Sequence, residues 1–361
     1  IYYKLFIFIL RILIYLIYNL HKWGGICIMY EISKELKEKV TQLNSTLVDK
    51  YKDFFNMDSI QLRDFIDKNV GEIVEIKKLT KDELTKCSEK GGIVGVDGSK
   101  NRVGGAYPHY VEIFQGLAKS TLHKEKPIFK ADFYTPLYLE GERELLKKFE
   151  EEENKEEAIR DYKLSGIEVE VALEAVEKFS PYAIMMDGSL IRYDIECFDK
   201  WIELRKKCEE RGIILIGVIK DIKTSIIGQS LVERNNLNTK EFLYDREILY
   251  GLLGYGEMIR VEDSMTKKSK EGFTSIFMRS SKAPNIIGMD ILDSQREYLD
   301  EMARLVFSLT PSSSRGVPLW LDIVDSQVKV SDKMMRSLLE RYLDRQVLEK
   351  FFISERDKRT L

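Results

Sequence analysis

Gly91-Gly92-Ile93-Val94-Gly95-Val96-Asp97-Gly98-Ser99 reads as a short apolar strand that carries one aspartate to its end and turns at Gly-Ser. The pattern returns at Tyr182-Ala183-Ile184-Met185-Met186-Asp187-Gly188-Ser189-Leu190. Two buried strands that each end in Asp-Gly-Ser bring two carboxylates to neighbouring strand ends. Hard divalent cations want several oxygen ligands, which is a reason to crowd carboxylates together. Asp-Gly is also an ordinary turn signal. One copy decides nothing, and the repeat after two apolar runs favours the metal.

The elements around these strands set the topology. After the strand Ile93–Val96, a turn through Lys100-Asn101-Arg102 leads to a second strand within Val103–Leu117. Ile128–Leu139 is aromatic-rich and partly alternating, a third strand. Short links between the three imply an antiparallel meander. Glu140–Glu157 is a charge run whose default is a solvated helical face. Leu164–Phe179 carries the stripe Val169, Ala172, Leu173 and Val176, and Ser180-Pro181 ends that helix. Tyr182–Met186 is the fourth strand, Trp201–Arg211 a helix stopped by Gly212, and Ile213–Ile219 a fifth strand ending at Lys220. Three meander strands, a helix, a strand, a helix and a strand form the order of an α/β, ribonuclease-H-like mixed sheet. Helical additions flank it. Glu31–Asn56 has Leu36, Val40, Leu43, Leu47 and Tyr51 at helical spacing, and Asp58–Asn69 continues in helical character. Beyond Lys220 we expect a helix around Glu241–Leu253 and a hairpin of Glu257–Val261 with Phe273–Arg279. Further helices are expected at Ser294–Leu309, Val317–Val330 and Ser331–Phe352.

In that order Asp97 ends the central strand, Glu168 sits on the crossover helix and Asp187 ends the adjoining strand. Carboxylates converging in this way can hold one or two divalent ions for phosphodiester hydrolysis. Glu170 rivals Glu168. A fourth ligand can come from Asp322 or Asp325 in Leu319-Trp320-Leu321-Asp322-Ile323-Val324-Asp325, where a helix-face acid is the plain alternative. Lys220 and Arg279 each end an apolar strand where they can meet a phosphate, or stand as surface charges.

Val96-Asp97-Gly98-Ser99, the Glu-bearing helix before Met186-Asp187-Gly188-Ser189-Leu190, the strand ending at Lys220 and the segment Pro318 to Asp325 together resemble the NurA nucleases. The resemblance covers about residues 90–345. It implies a 5′-to-3′ nuclease that processes DNA ends in double-strand-break repair, acting on single strands as an exo- and endonuclease. It further implies two manganese or magnesium ions, a homodimer that threads DNA, and a HerA-type hexameric translocase as partner. Carried over by position, Asp97, Glu168, Asp187 and Asp325 would be metal ligands, with Lys220 beside them in the catalytic set. The family tends to have a tyrosine before a proline and a histidine eight residues later; here these positions hold Val317 and Asp325. Aspartate can still bind metal, but valine supplies no hydroxyl. Two other readings compete. A non-catalytic DNA-repair partner would keep the fold without the chemistry. An actin- or sugar-kinase-like ATP-binding protein would show a second equivalent half after Lys220, and none is visible.

The whole-chain balance of 57 basic and 60 acidic side chains makes no case for nucleic acid, so a polyanion must meet a local or shared groove. The scattered Cys27, Cys87, Cys197 and Cys208 form no Cys-x-x-Cys pair, which argues against structural zinc or a disulfide framework. Of the first 20 residues, 19 are Ile, Tyr, Lys, Leu, Phe or Asn, and Trp23-Gly24-Gly25 precedes Met29. This is how an AT-rich untranslated leader with a ribosome-binding site would look if read through; a membrane anchor is the alternative. With Met29 as the start, the loss of Lys4, Arg11 and Lys22 takes the net charge from −3 to −6. We therefore expect a leader over 1–28, a helical lead-in over 29–85, a nuclease domain over 86–352 and a tail over 353–361. The protein should be cytoplasmic, without a membrane association.

Overall fold

The computed structural model describes residues 32–55, 57–235 and 243–353. The expected leader, most of the tail, and the start of the expected helix around Glu241–Leu253 lie outside them. Among the described residues no helix is long and apolar enough to cross a membrane.

The chain divides into two compact units, Ile1–Asp58 and Ser59–Leu361. In the first, α1 (Lys34–Phe55) starts where Ser33 Oγ accepts the Leu36 N–H at 3.1 Å. Leu36, Val40, Leu43 and Leu47 form the expected stripe along it, and all four are exposed.

Among the described residues of the second unit, the α-helices of five residues or more are α2 (Ser59–Asn69), α3 (Lys81–Glu89), α4 (Arg143–Lys148), α5 (Lys155–Phe179), α6 (Leu190–Glu196), α7 (Phe198–Arg211), α8 (Ile226–Asn235), α9 (Asp245–Leu249), α10 (Leu299–Leu309), α11 (Leu319–Val328) and α12 (Asp332–Tyr342). The strands are β1 (Gly71–Glu75), β2 (Ile93–Gly104), β3 (Tyr110–Ser120), β4 (Ile128–Tyr134), β5 (Ala183–Asp187), β6 (Ile214–Ile219), β7 (Glu257–Val261), β8 (Phe273–Met278) and β9 (Ile287–Leu292). They form one sheet in the order β1-β7-β8-β9-β6-β5-β2-β3-β4. β2, β3 and β4 are the antiparallel meander; β5 and β6 add in parallel on the other side of β2. α5 makes the crossover from β4 to β5, and α6 with α7 the crossover from β5 to β6. This is the ribonuclease-H-like arrangement, and the antiparallel β9, β8, β7 and β1 extend it beyond β6.

Two layers of apolar side chains cover the sheet. On one face Met185, Ile216, Val218, Met289 and Ile291 pack with Met302, Val306 and Leu321. On the other, Val94, Val96, Ile184, Met186 and Leu215 pack with Val169, Ala172, Val176 and Trp201. A residue's place in its strand therefore decides which helical layer it meets.

Three expectations need correction. Gly98-Ser99 does not turn, because β2 runs on to Gly104 and pairs Gly98 with Gly116. The glycines serve close approach instead: a Cβ on Gly116 would stand 2.7 Å from Ile167 Cγ2, and one on Gly98 2.7 Å from Glu168 Cγ. α5 lies in the trough they leave. Second, the expected helical lead-in over 29–85 is interrupted by β1, which pairs with β7 at the sheet edge. Third, β9 has no counterpart in the sequence reading. All six of its residues are buried, but its apolar run is broken by Gly288 and Asp290.

Candidate metal centre

Asp97 lies in β2 one residue past the pairing of Val96 with Met186, and Asp187 is the last residue of β5. Parallel pairing therefore puts both carboxylates at the same level on adjacent strands. The third acid comes from α11. Gly95 lets that helix lie close on β2: a Cβ there would be 3.0 Å from Trp320 Cδ1 and 3.1 Å from Val324 Cγ2. Trp320 Nε1 donates to the Lys119 carbonyl at 3.0 Å, and Gln115 Nε2 donates to the Val328 carbonyl at 2.9 Å. Past the helix end, Ser99 Oγ accepts the Val330 N–H at 3.1 Å. So clamped, α11 presents Asp325. One carboxylate oxygen each from Asp97, Asp187 and Asp325 lies within 4.8 Å of the others.

The donors suit a divalent cation. Asp97 is 7% exposed. Burial, with Asp187 and Glu168 close by, pushes its carboxyl up to about 9. Burial also raises Asp187, against the pull of Lys220. Lys220 Nζ donates to Asp187 Oδ2. Burial alone would lower that ammonium, but Asp187 outweighs it and the net shift is upward. Two crowded, mostly buried acids with one lysine, paired to Asp187, are short of positive charge, which a divalent ion would supply.

The other expected residues fall in different places. Glu168, on α5, is 1% exposed and outside the trio. Its Oε2 accepts from Tyr193 Oη at 2.6 Å and from Arg192 Nη2. Burial raises its carboxyl despite the Arg192 charge. Glu170 is turned to Lys200, which donates to it at 2.6 Å. Asp322 is taken by Arg315 at 2.7 Å. Arg279 is not at the site, because its guanidinium donates to the carbonyls of Leu253, Lys282 and Ala283 at 2.8–2.9 Å. Val317 is buried in the core and brings no polar atom.

A cavity of about 560 Å³ opens beside the carboxylates, lined among others by Asp97, Asp187, Arg192, Lys220, Lys268 and Asp290. Lys268 and Asp290 escaped the sequence reading. The signal was Ile286-Ile287-Gly288-Met289-Asp290-Ile291-Leu292, a third apolar run interrupted by one aspartate.

A family model for the NurA domain matches residues 91–330. The chain belongs to the NurA family. The matched NurA segment contains Asp97, Asp187, Lys220 and Asp325. No curated protein matches the sequence. Among solved structures, the NurA nuclease from Sulfolobus solfataricus superposes with a TM-score of 0.52 at 13% identity, covering 88% of this chain and 98% of its own. Likeness at that identity is likeness of fold. Endonuclease V from Bacillus subtilis gives a TM-score of 0.37 at 13% identity, with 80% and 96% covered. The catalytic domain of human endonuclease V gives 0.37 at 13% identity, with 82% and 98% covered.

Proposed function

We propose that this NurA-family chain is a metal-dependent nuclease that hydrolyses phosphodiester bonds at DNA ends. The observation that carries the reading is the trio of Asp97, Asp187 and Asp325, the first two of which line a cavity that Lys220 also lines. These three carboxylates would hold the metal, with manganese or magnesium as the ion. Divalent ions bound there supply a lowered water pKa and positive charge for the phosphodiester oxygens. Lys220 donates to Asp187 and lines the cavity, where it can donate to a phosphate oxygen. Glu168, fixed by Tyr193 and Arg192, adds negative charge behind Asp97. Family membership supports the finer expectations: 5′-to-3′ polarity, a role in break repair, a homodimer, and a HerA-type partner. The kinase-like alternative loses its footing, since β7, β8 and β9 extend one sheet and do not repeat the core.

The test is digestion of linear DNA labelled at either end by the full chain, in manganese, magnesium or EDTA. We expect metal-dependent loss of DNA, with 5′ label released first. Asp97→Ala and Asp187→Ala should each lower the rate at least about 100-fold while the far-UV spectrum is kept, the scale of removing one charge-stabilising group. Wild-type rates in either variant would overturn the assignment. Sedimentation of the same preparation, with and without a HerA-type translocase, tests the assembly.

A further inference from the structure

Asp290 is fully buried, yet among the described residues it belongs to no carboxylate trio. It sits on β9 opposite Gly217 of β6, and β6 pairs with β5 one residue on, Val218 against Asp187. Two strand spacings, about 10 Å, therefore separate it from the metal-binding strand end. Its oxygens accept from Ser189 Oγ at 2.5 Å, Ser275 Oγ at 2.7 Å and Leu190 N at 3.2 Å. Both also accept from Lys268 Nζ, at 2.8 Å each. An ammonium has three donors. Two are spent on Asp290, and Lys268 lines the cavity with its side chain 15% exposed.

We propose that Lys268 is a second phosphate contact for the DNA strand, held ready by the buried Asp290. The third donor of the ammonium meets a phosphate next to the one at the metal carboxylates. A free lysine would lose rotamer freedom on making this contact; here the bidentate pairing has already removed it. Asp290 also holds Ser189 and Leu190, the residues that follow Asp187 through its turn. One carboxylate thus sets the distance between the metal-binding acid and the second phosphate. Gly217 is required for this, since a Cβ there would meet the Gly188 carbonyl and lie 3.0 Å from Leu190 N.

This inference rests on the nuclease reading, and the experiment separates the two. Binding of a short fluorescent single strand to the full chain is measured in calcium across a range of salt concentrations. Lys268→Gln should weaken binding and flatten the slope of log affinity against log salt by about 0.7, one phosphate contact on a single strand. Lys268→Gln bares Asp290, so the pair Lys268→Gln with Asp290→Asn keeps the site neutral and should show the same loss of slope. Lys268→Arg should keep the slope. A double variant that binds with wild-type affinity and slope overturns this contact alone. A wild-type protein that neither binds nor cuts DNA overturns the nuclease reading and this contact with it.

Discussion

Within Asp97-Gly98-Ser99 each residue has a separate task. Asp97 points into the trio, Gly98 leaves room for Glu168, and Ser99 accepts the Val330 N–H beyond the helix that brings Asp325. In Asp187-Gly188-Ser189 the same letters work differently. Gly188 has φ 129° and turns the chain, and Ser189 reaches Asp290. A motif read as two equal copies is thus one straight strand and one turn. Gly98→Ala tests the difference. Its Cβ would stand against Glu168 Oε1 and 2.9 Å from Cδ, and Tyr193 with Arg192 keeps that side chain from yielding. We expect a loss of about 1–3 kcal/mol in urea unfolding, the usual cost of overpacking. An unchanged midpoint would show that Glu168 moves freely.

The elements owe their definition to local chemistry that the sequence carries openly. α3 begins with a capping box: Thr80 Oγ1 accepts the Glu83 N–H at 3.3 Å, and Glu83 Oε2 accepts the Thr80 N–H at 2.7 Å. The Thr80 N–H and then Arg304 hold the Glu83 carboxyl down to about 2. A carboxyl lowered from its ordinary 4.5 contributes stability above about that pH and loses it as the pH falls through 2. Glu83→Gln should therefore melt below the wild type at pH 6, and the two melting temperatures should converge as the pH approaches 2. A gap that stays constant with pH would remove the charge from the explanation. The elements that escaped the sequence reading, β1 and β9, lacked such marks. β1 is a five-residue edge strand, too short to show a clear period of two, and the apolar run of β9 is broken by Gly288 and Asp290.

At the scale of the whole molecule, the cost of the site appears as stability. Asp97 is raised from 3.8 to about 9, so its favourable share is complete below about pH 4 and is lost as the pH climbs through 9. The metal-free protein should become less stable over that interval. Asp97→Asn should melt close to the wild type near pH 4 and increasingly above it towards pH 9. Manganese at a hundred times its dissociation constant should stabilise the wild type by about 2.7 kcal/mol, seen as a rise in Tm that EDTA reverses. Equal stabilisation of Asp97→Asn would place the ion elsewhere. The sequence by itself determined the meander, the two helical crossovers and the strands that carry Asp97 and Asp187 and lead to Lys220, because periodicity and turn residues act over a few neighbours. It also carried the resemblance that the family match confirms over residues 91–330. Only the tertiary structure brought Asp325 beside Asp97 and Asp187 while pairing Asp322 with Arg315, turned Glu170 and Arg279 to other partners, and set Asp290 with Lys268 at the cavity. Those outcomes depend on which face of the sheet a helix meets and on how closely Gly95, Gly98, Gly116 and Gly217 let backbones approach. Such contacts join residues as far apart as Ser99 and Val330, and no local pattern records them.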